Sequence, residues 1–220
     1  MREGGSITVL VSGRGSNLNA LIRHQSGYRI GHVISDKPDA GGLLLAREAG
    51  IPTTVVQRSA FTSLVDFKAG ILKATIKSDP DLVTLAGFMV VLRPEFIETF
   101  SGKLINIHPS LLPLFPGLHT HERALQARTI EHGCTVHYVD AGVDTGPLIA
   151  QAVVEVRKDD SPETLSARVL TREHRLYPWV VQRVMSNDIT LEGRTVRYSP
   201  LASQEAREQG FSIRLTGEAP

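Results

Sequence analysis

Four short apolar or β-branched runs, at residues 6–12 (SITVLVS), 29–35 (RIGHVIS), 53–56 (TTVV) and 82–86 (LVTLA), alternate with three stretches of helical spacing. No other feature constrains the chain as strongly. Runs that are apolar at consecutive rather than alternate positions need cover on both faces, and a β-α-β-α-β-α-β order supplies helices to cover a parallel sheet. The first helix is expected at 17–24, where Leu18, Leu21 and Ile22 share a face. The second ends at Gly50, just before Ile51-Pro52, and the third spans 61–77. Beyond Arg93-Pro94 a short helix runs to about Phe100, and residues 103–108 (KLINIH) form a further strand. Residues 109–117 contain Pro109, Pro113 and Pro116 and are loop. Residues 134–139 and 148–156 are expected as antiparallel neighbours joined by 140–147. Ser161 as N-cap and Pro162 at the first helical position open a helix to about Met185. A small hairpin follows over Glu192-Gly193, then a polar, loosely held tail. The expected fold is α/β and Rossmann-like: one domain over 1–200 with a mostly parallel twisted sheet, helices on both faces and antiparallel later strands, and a tail at 201–220.

Composition narrows the function classes. A chain of 220 residues with 41% apolar and 21% charged residues buries roughly 70% of its unfolded surface without disulfides or a structural metal. One cysteine, Cys134, and no leader-like pattern at residues 1–30 point to a reducing, cytoplasmic setting. The longest apolar run, 82–92, falls far short of the ~20 residues of a membrane span. Net charge is +1 with no basic stripe, so nucleic acid is not an expected partner. Small-molecule substrates are, with the chain a monomer or homodimer.

Three motifs carry chemistry. Ser12-Gly13-Arg14-Gly15-Ser16-Asn17 lies between a strand and a helix, where backbone N–H groups and the helix dipole favour an anion. Leu18 stands where a dinucleotide fingerprint needs a third glycine, and no Gly-Lys-Ser/Thr follows, so a single terminal phosphate fits better than a dinucleotide. A plain tight turn would use the same glycines. In Asn106-Ile107-His108-Pro109, strand alternation puts Asn106 and His108 on one face at the strand's C-terminal end. An amide that donates to a developing oxyanion then sits beside an imidazole that moves a proton; a buried histidine merely satisfied by hydrogen bonds is the alternative. Asp140-Ala141-Gly142-Val143-Asp144-Thr145-Gly146-Pro147 holds two carboxylates, either of which could cap a turn. A carboxylate beside His108 would raise its pKa. His119 and His121 lack the i, i+4 spacing of a zinc helix, so no metal is expected and their ordinary role is loop packing and capping of a helix from about Glu122.

Five blocks together resemble the phosphoribosylglycinamide formyltransferase family of purine biosynthesis: Gly13-Arg14-Gly15-Ser16-Asn17-Leu18, Leu85-Ala86-Gly87-Phe88-Met89, Asn106-Ile107-His108-Pro109-Ser110-Leu111-Leu112-Pro113, Pro116-Gly117-Leu118-His119-Thr120-His121, and Asp144-x-Gly146-Pro147. The resemblance runs in register from Ile7 to about Trp179. It implies transfer of the formyl group of 10-formyltetrahydrofolate, the co-substrate, to the amine of N1-(5-phosphoribosyl)glycinamide through a tetrahedral oxyanion, with no metal. It implies Asn106, His108 and Asp144 as catalytic residues. Gly15, Ser16 and Asn17 match the family's phosphate turn, and Pro109 and Glu173 complete the substrate side. Met89, Val90, Val91 and Leu92 match the folate-ring wall, with Asn106, and Asp140, Ala141 and Gly142 match the loop whose backbone reads the pterin. The chain departs from the family at Leu64, where many members carry an arginine associated with the folate; Arg58 and Lys68 are the nearest candidates to substitute. Two relatives of the same fold, formyltetrahydrofolate hydrolase and methionyl-tRNA formyltransferase, would add an N-terminal regulatory domain and a basic C-terminal barrel, and neither is expected in these 220 residues. A silent phosphate- or folate-binding module would have no use for Asn106, His108 and Asp144 together.

Overall fold

The computed structural model describes residues 4–213. The expected strands appear as β1 (Ser6–Val11), β2 (Arg29–Ser35), β3 (Thr53–Val55), β4 (Leu82–Leu85), β5 (Leu104–His108), β6 (Glu131–Tyr138) and β7 (Leu148–Glu155). They form one seven-stranded sheet in the order β3-β2-β1-β4-β5-β6-β7. Pairs β1–β2, β1–β4, β2–β3 and β4–β5 are parallel and β6–β7 is antiparallel, as the sequence led one to expect. Every residue of β1 is buried, which is why both of its faces carry apolar or small hydroxyl residues. Contacts divide the chain into two compact units, Met1–Asn106 and Ile107–Pro220, the division falling inside β5.

In the first unit, β1 pairs on one side with β2 and on the other with β4, so strand order reverses at β1. Ligands of open α/β sheets bind beyond the C-terminal strand ends at such a switch point. Helix α1 (Ser16–Arg23) follows β1, and α2 (Gly41–Glu48) follows β2. A Cβ on Gly15 would lie 3.0 Å from the Gly42 amide nitrogen, and Gly15 has φ 79°. Only glycine serves there. Helix α3 (Leu64–Lys77) starts later than expected because Ser63 takes the N-cap, accepting from the Asp66 amide at 3.0 Å. Helix α4 (Pro94–Thr99) opens on its proline.

In the second unit, α5 (Thr120–Gln126) precedes β6, and α6 (Pro162–Met185) packs against β6 and β7. Ser161 caps α6 as expected: its hydroxyl accepts from the Thr164 amide, and the Thr164 hydroxyl accepts from the Ser161 amide. The hairpin consists of β8 (Ile189–Glu192) and β9 (Thr195–Tyr198). The loosely held tail expected from residue 201 is corrected. Helix α7 (Pro200–Gln209) is capped by Ser199, buries Ala202 and Ala206, and stops at Gly210 with φ 66°. Phe211 then packs on Trp179 with centroids 5.3 Å apart, and Ser212 pairs with Gln151 on β7. Two small alanines four residues apart were enough to bury this face, although the segment's average composition is polar. Residues 214–220 of the expected tail lie outside the described residues. Among the described residues no helix is long and apolar enough to cross a membrane.

Candidate active site

The first unit presents two of the expected binding segments. Gly15, in the left-handed region, sits at the N-cap of α1 with no side-chain cap, and no acidic residue occupies the first turn. That leaves the N-terminal dipole uncompensated, as an anion site requires. Ser16 is half-buried and Asn17 is buried. In the segment after β4, Met89 and Val91 are exposed apolar side chains and Val90 and Leu92 are half-buried. The Met89 amide is already committed, donating to Ser12 Oγ at 2.9 Å, while the Ser12 hydroxyl donates to Asp36 at 2.5 Å. Leu64 is exposed on the first turn of α3, Lys68 lies one turn later, and Arg58 is tied to the Phe61 carbonyl at 2.8 Å.

The second unit brings His108 and Asp144 together. His108, 5% exposed, ends β5, and its Nδ1 lies 3.3 Å from Asp144 Oδ2. Its Nε2 lies 3.0 Å from the Phe115 carbonyl oxygen. Both ring nitrogens therefore face acceptors, a setting that favours a proton on each. The expected rise in His108 pKa is nonetheless corrected. Burial pushes it below its ordinary value, outweighing the Phe115 carbonyl and Asp144, which push it up; His137 and Arg123 add to the fall. Desolvation wins because the ring is almost wholly out of water.

Asp144 adopts φ 55°, aiming its carboxylate back at the strands from an exposed loop. Oδ2 also accepts from the Gly117 amide at 2.8 Å, and Oδ1 lies 3.6 Å from His137 Nε2. Burial pushes its carboxyl up, but the nearby His137, the Gly117 amide hydrogen bond and His108 hold it below the usual carboxylate value. It is ionised at neutral pH. His137, whose Nδ1 donates to the Tyr138 carbonyl at 2.8 Å, is the member of this cluster that motif reading overlooks. Its signal was present: Thr135 and His137 are polar residues at alternate positions of the buried stretch 133–138. Thr135 is equally informative. Its hydroxyl donates to the Ser110 carbonyl at 2.6 Å and accepts from the Leu112 amide and from Gln151 Nε2, pinning the loop that follows His108.

The remaining expected residues are placed as follows. Asn106 stands two positions before His108, on the same face of β5 by alternation. The Pro109 carbonyl accepts from Thr120 Oγ1 at 2.7 Å, and Glu173 is buried on α6. Ala141 and Gly142 are exposed, whereas Asp140 is half-buried. His119 occupies the N-cap of α5 but gives no side-chain cap; its ring meets Glu122 at 3.3 Å instead. Among the described residues, no group of three or more His, Cys, Asp or Glu side chains could hold a metal ion.

His121 and His132 form a second histidine contact, Nδ1 to Nε2 at 3.1 Å. Burial, then the neighbouring His121 and His108, bring His132 down to about 4. An unfolded chain restores an ordinary value near ~6.5, so between these values the unfolded state binds the extra proton and stability falls as pH falls. Urea unfolding is expected to show a loss of about 2 kcal/mol between pH 7 and pH 5 from this group. His132→Gln removes that part of the pH dependence; an unchanged slope in the variant would reject the assignment.

Comparison with known proteins identifies the family. Residues 6–181 match the family model described as formyl transferase. The phosphoribosylglycinamide formyltransferase of Escherichia coli K12 is 46% identical over 180 residues, covering 80% of this chain and 85% of that protein. The crystal structure of glycinamide ribonucleotide transformylase 1 from Symbiobacterium toebii superposes with TM-score 0.86 at 40% identity, covering 90% of this chain and 96% of that one. That of the phosphoribosylglycinamide formyltransferase from Coxiella burnetii gives TM-score 0.85 at 43% identity, with 89% and 94% covered. A match over most of the chain in both sequence and fold means that this chain belongs to the formyl transferase family, in its phosphoribosylglycinamide formyltransferase branch.

Proposed function

We propose that the protein transfers the formyl group of 10-formyltetrahydrofolate to the amine of N1-(5-phosphoribosyl)glycinamide, a step of purine biosynthesis. The contact of His108 with Asp144 carries this reading, because amide-to-amine transfer needs one proton removed from the nucleophile and one delivered to the leaving nitrogen. The amine nitrogen bonds to the formyl carbon and the carbonyl electrons move onto oxygen. Asn106 donates to that oxyanion. His108, neutral at rest because of burial, accepts the amine's proton and becomes an imidazolium that ionised Asp144 stabilises. Collapse breaks the bond to the folate nitrogen, and the imidazolium returns the proton to it. Nε2 lies 3.0 Å from the Phe115 carbonyl, so this role requires that contact to open in the substrate complex. Phe115 itself sits at φ 54°, a strained value for a bulky residue.

Gly15, Ser16 and Asn17 are assigned to the substrate's phosphate, with Pro109 and Glu173 also on the substrate side. The apolar Met89 to Leu92 stretch is assigned to the folate rings and the backbone of Asp140, Ala141 and Gly142 to the pterin, since largely apolar walls with a few fixed polar groups suit such a ligand. The chemistry asks for no metal. The deciding measurement is tetrahydrofolate formation by absorbance with and without the ribonucleotide amine. Strict dependence on the amine is expected, and folate turnover without it would establish a hydrolase instead.

A further inference from the structure

The loop that carries Asp144 is closed by a residue far along the chain. Asp140 Oδ1 accepts from the Thr145 hydroxyl at 2.6 Å and from the Gly142 amide at 3.1 Å, folding residues 140–145 onto themselves. Arg194, at the turn of the β8–β9 hairpin, donates through Nη1 to Asp140 Oδ2 at 2.9 Å and through Nη2 to the Thr145 carbonyl at 3.0 Å. One guanidinium thus grips both ends of the loop. The hairpin lies beyond the residues 6–181 that match the family model, and neither motif nor resemblance assigns Arg194 a part.

We propose that Arg194 is a positioning residue for the reaction, a latch that holds the 140–145 loop so that Asp144 stays aimed at His108 and His137. The proposal rests on the assignment of Asp144 to formyl transfer. Its physical basis is the fork of the guanidinium, which spans two acceptors at once where a single ammonium reaches one. Arg194's side chain is 70% exposed, so its ion pair with Asp140 contributes little to stability. Its value lies in geometry: Asp144 is held in the left-handed region, with Thr145 next to it gripped through the carbonyl. A Cβ on Gly142 would run into the Thr145 hydroxyl, and one on Gly146 into the Tyr138 carbonyl, so the loop has little slack to find the same pose unaided.

The test is steady-state kinetics on the full chain. Arg194→Ala is expected to lower kcat about tenfold with KM for the ribonucleotide amine unchanged, since a small displacement of a catalytic group costs rate before binding. Tm is expected to stay within about 3 °C of the parent. Arg194→Lys recovers part of the loss. The double variant Asp140→Asn with Arg194→Ala is expected to be no slower than the slower single variant, as partners in one interaction behave. Unchanged kcat in Arg194→Ala, or losses that multiply in the double variant, would overturn the latch. Asp144→Asn separates the two ideas. If it is impaired while Arg194→Ala is not, only the latch fails; if it retains full turnover, the catalytic assignment fails and the latch with it.

Discussion

His108→Ala is expected to lower turnover by about 10²-fold or more, with both substrates still bound. The size follows from the number of tasks on one ring. In the proposed reaction His108 accepts the amine's proton, returns it to the leaving nitrogen, and in between places a positive charge beside the oxyanion. Its low resting pKa, set first by burial, makes it neutral and ready to accept; Asp144 and the Phe115 carbonyl keep the charged form within reach. Removing the ring also leaves Asp144 to His137 and the Gly117 amide among the described residues. A single-turnover assay with a separate binding measurement checks the claim. Retained turnover with intact binding would show that the proton moves by another route.

Asn106→Ala is expected to cost on the order of 10²–10³ in kcat, the usual loss when one oxyanion donor is removed. In the proposed reaction Asn106, unlike His108, exchanges no proton, so the whole effect comes from charge stabilisation at the developing oxygen. It therefore appears in kcat and kcat/KM together. A rise in KM at constant kcat would instead make Asn106 a ligand-positioning group. The two substitutions differ in one more respect. The cost at His108 includes the proton transfers and so varies with pH, whereas the cost at Asn106 is the same across the pH range where the enzyme is active.

Much of the scaffold is legible from local rules. The mainly apolar runs at 6–12 and 82–86 became the central strands β1 and β4 because apolar residues on both faces of a strand are stable only when both are covered. Ser161-Pro162 began α6 where capping chemistry places it, and Glu192-Gly193 turned the hairpin. The place of His108 at the end of β5 was legible from the strand pattern, and the glycine turn at the start of α1 from its motif. Helix α7 was not, because its polar average hid two alanines that bury against the rest of the unit.

The sequence by itself determined the order of strands and helices, the caps that start and stop them, and the residue types offered for phosphate binding and proton transfer. These depend on interactions between near neighbours in the chain. Tertiary structure alone decided that His137 meets Asp144, that Arg194 closes a loop 54 positions before it at Asp140, and that His108 has a lowered pKa where a nearby carboxylate suggested a raised one. Each depends on distance and solvent exclusion between residues far apart in the chain. Desolvation in particular belongs to the packed interior, and no arrangement of residues along the chain carries its magnitude.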